Sequence, residues 1–267
     1  MILGIDIGGS AIKLASVSEE NIGVCRYIPI TDEPVDAVIR REIELLPCAP
    51  ESAALTGVGS VSFDPDTLQL GFSCTRVLEI DAIAEGSRRL VGDGDMLTVS
   101  IGTGTAFVLK KDGNVCHIGG SAFGGGALQG LSRKILGTDR GREIEFMLQS
   151  GDLSRVDLLM SELPSCPPSL DPKLTAANLV KTTPDTEKCD WAMGLMNLLF
   201  QTLGSMAFLA ASGRSVDTMV FTGGPTISPY AKTVFDGFTK AYGLRFVVPE
   251  HSQCATAIGA ASLLISR

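Results

Sequence analysis

The residues able to do chemistry are gathered in short glycine-rich turns. One is Asp6-Ile7-Gly8-Gly9-Ser10-Ala11-Ile12-Lys13, where an acid, two glycines, a hydroxyl and a lysine follow the apolar run Met1-Ile2-Leu3-Gly4-Ile5. A second is Gly102-Thr103-Gly104-Thr105, after Leu97-Thr98-Val99-Ser100-Ile101, and a third is Thr222-Gly223-Gly224-Pro225, after Met219-Val220-Phe221. A strand that stops at such glycines can turn with positive φ and bring bare N–H groups against a ligand, which is how proteins cradle phosphate. The first two turns therefore predict a duplicated phosphate clamp. Neither the P-loop pattern nor G-x-G-x-x-G after a strand is matched, so the two commoner nucleotide folds are disfavoured.

The densest motif runs from Ile118 through Gly119-Gly120-Ser121-Ala122-Phe123 to Gly124-Gly125-Gly126-Ala127-Leu128-Gln129-Gly130-Leu131. Leu128, Leu131 and Ile135 follow a helical period, so three glycines open a helix. That predicts unpaired N–H donors and the positive end of the helix dipole at one point, an anion site.

These turns need strands and helices to hold them. Short apolar runs predict strands at Leu3–Ile7, Ile12–Ser16, Ile22–Tyr27, Ala53–Thr56, Met96–Ile101, Thr105–Lys110, Thr218–Thr222 and Leu244–Val248. Helices are predicted at Val35–Leu46, Ala82–Leu90, Gly126–Leu136, Arg140–Leu148, Leu174–Val180, Asp190–Ser212, Ser228–Tyr242 and Ala255–Ile265, with Asp81 as the cap of the second. The polar turn Val91-Gly92-Asp93-Gly94-Asp95 divides the chain into residues 1–92 and 93–267, one phosphate turn in each, and 267 residues suffice for two cores. Pro164 to Pro172, with four prolines, reads as a loop.

A net charge of −8 argues against a nucleic-acid partner. Seven cysteines without a C-x-x-C pair, and an opening strand with no leader before it, fit a reduced cytoplasm with no zinc or iron-sulfur site. Trp191 to Ala211 carries no charge and reaches the length of a bilayer span, but Asn197, Gln201, Thr202 and Ser205 interrupt it, so it reads as a core helix and not a membrane segment.

Strand, phosphate turn, second strand, second phosphate turn and a late Thr-Gly-Gly form the order of the actin-like ATPase and sugar kinase superfold: a duplicated, ribonuclease H-like α/β fold with ATP between two domains. Within it the chain resembles the type II pantothenate kinases, bacterial relatives of the eukaryotic enzyme. The resemblance rests on Asp6-x-Gly8-Gly9-x-x-x-Lys13, Val77-Leu78-Glu79-Ile80-Asp81-Ala82, Gly102-Thr103-Gly104-Thr105, Gly119-Gly120 with Gly124-Gly125-Gly126-x-x-Gln129-Gly130-Leu131, Leu174-Thr175-Ala176-Ala177-Asn178 and the closing Ala257-Ile258-Gly259-Ala260.

The resemblance implies ATP against Asp6, Ile7, Gly8, Gly9, Ser10, Ala11, Ile12 and Lys13, against Gly102, Thr103 and Gly104, against Gly125, Gly126, Ala127, Leu128 and Gln129, and under Gly223 and Gly224. Asp6, a hard oxygen ligand, suits Mg²⁺, while Ser10 and Lys13 suit phosphate oxygens. Glu79 takes the place of the catalytic base, and its apolar neighbours favour a raised pKa. Thr105, His117, Gly119 and Gly120 fall on the substrate side. The implied reaction is phosphorylation of the terminal hydroxyl of pantothenate, the first step of coenzyme A biosynthesis, by a cytoplasmic homodimer. One departure stands out: relatives carry arginine before the hydrophobic-Gly-Gly, and here the residue is His117. Arginine keeps its charge and its two-pronged donor geometry where histidine does not. The alternatives are a kinase of pantetheine or another small alcohol, including a sugar, and an ATP-binding activator without catalysis of its own. A sugar kinase would show a cysteine-histidine zinc motif or an Asn-Asp pair before the second turn, and an activator would lose Glu79.

Overall fold

The computed structural model describes residues 1–63, 70–165 and 171–265. In the first half, β1 (Ile2–Ile7), β2 (Ala11–Val17), β3 (Ile22–Pro29), α1 (Val35–Glu44), β4 (Ser52–Thr56), β5 (Ser73–Arg76) and α2 (Glu79–Val91) follow in order. The sheet is ordered β3-β2-β1-β4-β5. Antiparallel pairs join β1–β2 and β2–β3, and parallel pairs join β1–β4 and β4–β5. β1 is buried almost throughout, which is why it reads as an unbroken apolar run and not an alternating one.

The second half repeats this plan. It comprises β6 (Met96–Ile101), β7 (Thr105–Lys111), β8 (Asn114–Ser121), α3 (Gly125–Ile135), α4 (Gly141–Leu148), β9 (Leu158–Leu159), β10 (Thr175–Ala177), α5 (Lys188–Ala211), β11 (Thr218–Thr222), α6 (Pro229–Tyr242), β12 (Arg245–Val247) and α7 (Ala255–Ile265). Its sheet, β12-β11-β6-β7-β8, has the same order and the same pattern of parallel and antiparallel pairs as the first, read from the other edge. The repeat holds to the residue: Asp6 of β1 pairs with Thr56 of β4, and Ser100 of β6 pairs with Thr222 of β11.

Helix α5 is long and apolar enough, by length and composition, to cross a membrane. It buries Leu195, Leu199, Phe200, Leu203 and Ala207 in a core shared with Val99, Phe221 and Phe235, as expected of a core helix. Helix α7 follows the second sheet in sequence but packs on the first, where Ala257, Ile258 and Ala261 meet Ala15 and Val17. It also crosses α2 at very close range, because Gly86 and Gly259 leave no side chain between the two helices.

Three expectations need correction. The segment 174–180 is not a helix: Thr175–Ala177 pairs with β9, and Leu179 has a φ of 59°. The cause is Asp157, fully buried. Its carboxylate accepts hydrogen bonds from Thr175 Oγ1 (3.0 Å), Asn178 Nδ2 (3.1 Å), Asn197 Nδ2 (2.7 Å) and the Leu179 N–H (2.8 Å). A buried acid without a cation needs such donors, and the loop supplies them at the expense of helical geometry. Asp81 does not cap α2, since Leu78 holds that position and Asp81 lies inside the first turn. Finally, β5, β8, β9 and β10 were not anticipated. Within the proline-rich loop, residues 166–170 lie outside the described residues.

Candidate active site

The two glycine turns meet each other. Ser10 and Thr103, in the β1–β2 and β6–β7 turns, share a hydrogen bond of 2.7 Å between hydroxyls. Gly8, Gly9, Gly102 and Gly104 are not among the positive-φ residues, so the conformational reason expected for them does not hold. The bare backbone of Gly8 and Gly9 supplies room instead: a Cβ on Gly8 would stand 2.7 Å from Lys13 Nζ, and one on Gly9 would stand 3.0 Å from Thr103 Oγ1. The Gly8 N–H donates to the Ala11 carbonyl at 3.0 Å and closes the hairpin.

Behind the first turn lies a row of polar side chains set by strand register. Thr56, Asp6, Lys13 and Tyr27 stand opposite one another across β4, β1, β2 and β3, and residues paired in this way share a face. Lys13 Nζ lies 3.1 Å from Asp6 Oδ2, with both side chains largely buried. Burial pushes the Asp6 carboxyl up from its ordinary range and Lys13 draws it back down. Asp6 Oδ1 is buried with no hydrogen-bond partner among the described residues. An orphaned carboxylate oxygen at this point fits a Mg²⁺ that arrives with nucleotide phosphates and takes few protein ligands.

Glu79 is the first residue of α2. Two bonds hold the approach to it: the Val77 N–H donates to Leu55 O at 3.0 Å, and Thr56 Oγ1 donates to Val77 O at 3.1 Å. Burial pushes the Glu79 carboxyl up, the negative charge of Asp6 adds to this, and Lys13 opposes it. A carboxylate held partly dry beside a charged pair is a suitable general base near neutral pH. Helix α2 also packs against β7 and β8, through Ile83, Ala84 and Val108. The helix carrying Glu79 thus lies against the strand carrying His117, Gly119 and Gly120. His117 is exposed and pairs with Val108, while Gly119 and Gly120 pair with Phe107 and Ala106.

The glycines that open α3 do not present free donors as expected. The Gly125 N–H donates to Gly102 O at 2.8 Å and the Gly126 N–H to Thr103 O at 2.9 Å, so the helix start is laced to the second turn. A Cβ on Gly125 would also stand 3.4 Å from Pro225 of the third turn. The triplet fixes the turns relative to one another, and Ala127 and Gln129 follow it half-buried on α3. Leu128, Ile7, Ala11 and Ile12 are buried and can offer a ligand only backbone. Thr105 is buried as well, and its hydroxyl donates to Phe123 O at 2.8 Å.

Sequence reasoning missed one turn altogether. Thr56-Gly57 ends β4 as Thr222-Gly223 ends β11, with φ of 92° at Gly57 and 103° at Gly223. A Cβ on Gly57 would overlap Asp6 Oδ1, and one on Gly223 would overlap the Ile101 carbonyl. The repeated Thr-Gly after an apolar strand was the available signal. Tyr27 was missed too, and only register reveals it.

The Fumble family model matches residues 95–230. The type II pantothenate kinase of Oceanobacillus iheyensis is 29% identical over 231 residues, 83% of each chain. Among solved structures, the activator of the 2-hydroxyisocaproyl-CoA dehydratase from Clostridium difficile, with bound ADPNP, superposes with a TM-score of 0.67 at 15% identity, over 99% of this chain and 94% of the other. A ROK family glucokinase from Streptomyces griseus, in complex with glucose and AMPPNP, gives 0.65 at 16% identity, over 98% of each. Both likenesses show the duplicated actin-like fold and no more.

Proposed function

The chain belongs to the Fumble family, that of the type II pantothenate kinases, and from this premise we propose that it transfers the γ-phosphoryl group of ATP to the terminal hydroxyl of pantothenate. The observation that carries this reading is Glu79 beside the Asp6–Lys13 pair, a base next to a phosphate clamp. A nucleotide-binding activator has no need of that base.

Phosphoryl transfer asks the protein mainly to position and to neutralise. The turns at Gly8-Gly9-Ser10 and Gly102-Thr103-Gly104 hold the phosphates, Lys13 meets their oxygens, and the Gly223-Gly224 turn closes on the nucleoside. Asp6 would hold Mg²⁺, which when bound neutralises phosphate charge. Glu79 accepts the proton of the attacking hydroxyl. Thr105 shapes the pocket from behind, while His117, Gly119 and Gly120 line the acceptor side. The reading includes a cytoplasmic location and a homodimer, and light scattering tests the second directly.

A coupled assay across pantothenate, pantetheine and hexoses tests the proposal. Turnover of pantothenate is expected, and turnover confined to pantetheine or to hexoses overturns it. His117→Arg is expected to raise kcat/KM for pantothenate by about tenfold, or roughly 1.4 kcal/mol of transition-state stabilisation, because arginine adds a permanent charge where imidazole does not. Turnover of neutral pantetheine should change less. An unchanged or lower pantothenate efficiency in the folded variant would mean that this position does not meet the acid.

A further inference from the structure

We propose that Tyr27 is a positioning residue for the nucleotide, setting the distance between the Gly223-Gly224-Pro225 turn and the Asp6–Lys13 row. The inference rests on the kinase reading for its substrate, but its geometry concerns nucleotide binding alone. Tyr27 lies directly across from Lys13, on the face of the first sheet that carries Asp6. Its ring reaches over to the second half of the chain. A Cβ on Gly224 would stand 2.5 Å from the Tyr27 hydroxyl oxygen and 2.9 Å from both Cε2 and Cζ, so the bare Cα of Gly224 is the seat of the ring.

The seat itself is braced. The Gly223 N–H donates to Ser252 O at 2.9 Å, and Thr226 and Ser252 share a hydroxyl hydrogen bond of 2.7 Å. Cys254, two residues on, donates its thiol to the Arg26 carbonyl at 3.4 Å, next to Tyr27. The turn and β3 are therefore tied at two adjacent points, and of these the aromatic contact lies nearer the charged row. Burial pushes the Tyr27 phenol up, with Lys13 opposing and Asp6 adding, consistent with a hydroxyl held in the same dry cleft as those charges. A nucleotide bridging phosphate turns and nucleoside turn spans the gap this contact fixes. Correct spacing pre-organises both ends of the ligand, and that lowers the cost of binding.

The test is a cycle of Tyr27→Ala, Gly224→Ala and the double variant, with Tyr27→Phe as rescue, read by calorimetry with a non-hydrolysable ATP analogue and by steady-state kinetics. Tyr27→Ala is expected to weaken analogue binding and raise the KM for ATP about tenfold while leaving the KM for the acceptor alcohol within about twofold. Tyr27→Phe keeps the ring and should stay near wild type. Gly224→Ala should cost about tenfold with Tyr27 present and little in its absence, since the added methyl then has no ring to displace. Additive effects, or a rise in the acceptor KM in place of the ATP KM, overturn the proposal. If the analogue binds and the cycle behaves as stated but no alcohol is phosphorylated, the kinase reading fails and the role of Tyr27 stands. If the wild type binds no analogue, both fall.

Discussion

Glu79→Gln is expected to lower kcat by about 10²–10⁴ while binding of MgATP stays nearly intact. Glutamine keeps the shape at the start of α2 but cannot accept the proton of the attacking hydroxyl. The structure adds a second expectation that distinguishes a base from a structural acid. Burial and the charge of Asp6 raise the Glu79 carboxyl in the folded state. A raised acid favours folding fully below its unfolded pKa and loses that contribution as pH rises through the folded value. At pH 7, above its unfolded value, Glu79 therefore costs stability, and Glu79→Gln should melt no lower than wild type. Loss of activity with undiminished Tm is the signature of a group kept for chemistry. In the wild type, the acid limb of kcat/KM should lie above the ordinary glutamate range. Lys13→Met should move it higher still, because Lys13 draws Glu79 down. A Glu79→Gln enzyme that turns over as fast as wild type would place the base elsewhere.

Gly259→Val is expected to abolish folding at 37 °C or to cost about 3 kcal/mol or more, by thermal or urea unfolding. A Cβ on Gly259 would overlap the Ala82 carbonyl and the Gly86 backbone nitrogen. Backbone cannot swing aside as a long side chain does, so α2 and α7 would have to separate. Gly130→Ala is the control: it lies in α3 with nothing within 4 Å of an added Cβ, and it should gain up to about 1 kcal/mol of helix propensity. Equal stabilities for the two variants would refute the close helix crossing. Gly259→Ala adds the same overlapping Cβ and should destabilise as well, and because α2 begins with Glu79 the protein that still folds should be less active.

The glycine turns were legible in the sequence because a strand ending in glycines is a local pattern. Residues 1–13 and 96–105 contain within themselves the signals for strand, turn and strand. The same locality explains the errors. Gly8 and Gly9 read as positive-φ turns, whereas what they provide is close approach to the side chains of Lys13 and, from the second turn, Thr103, neither of which the turn's own spacing reveals. The Leu174-Thr175-Ala176-Ala177-Asn178 segment has the composition of a helix, and only the buried Asp157, many residues earlier, shows why its side chains bond sideways. Tyr27 on its own is an aromatic in an apolar strand. Its place beside Lys13 depends on a register that no residue spacing within β3 encodes.

The return of α7 to the first sheet has a consequence for how the protein is made. Ala15, Val17 and Ala54 in the first sheet and Ala82 in α2 find apolar cover in residues 257–261. During synthesis the segment through α2 leaves the ribosome with that face bare, and it waits roughly 10–30 s, at about 5–20 residues per second, for α7 to emerge. The nascent first half thus exposes an apolar face even though its strands are complete. Since α7 also packs closely on the helix that begins at Glu79, that helix gains its final support only once residues 255–265 have been made.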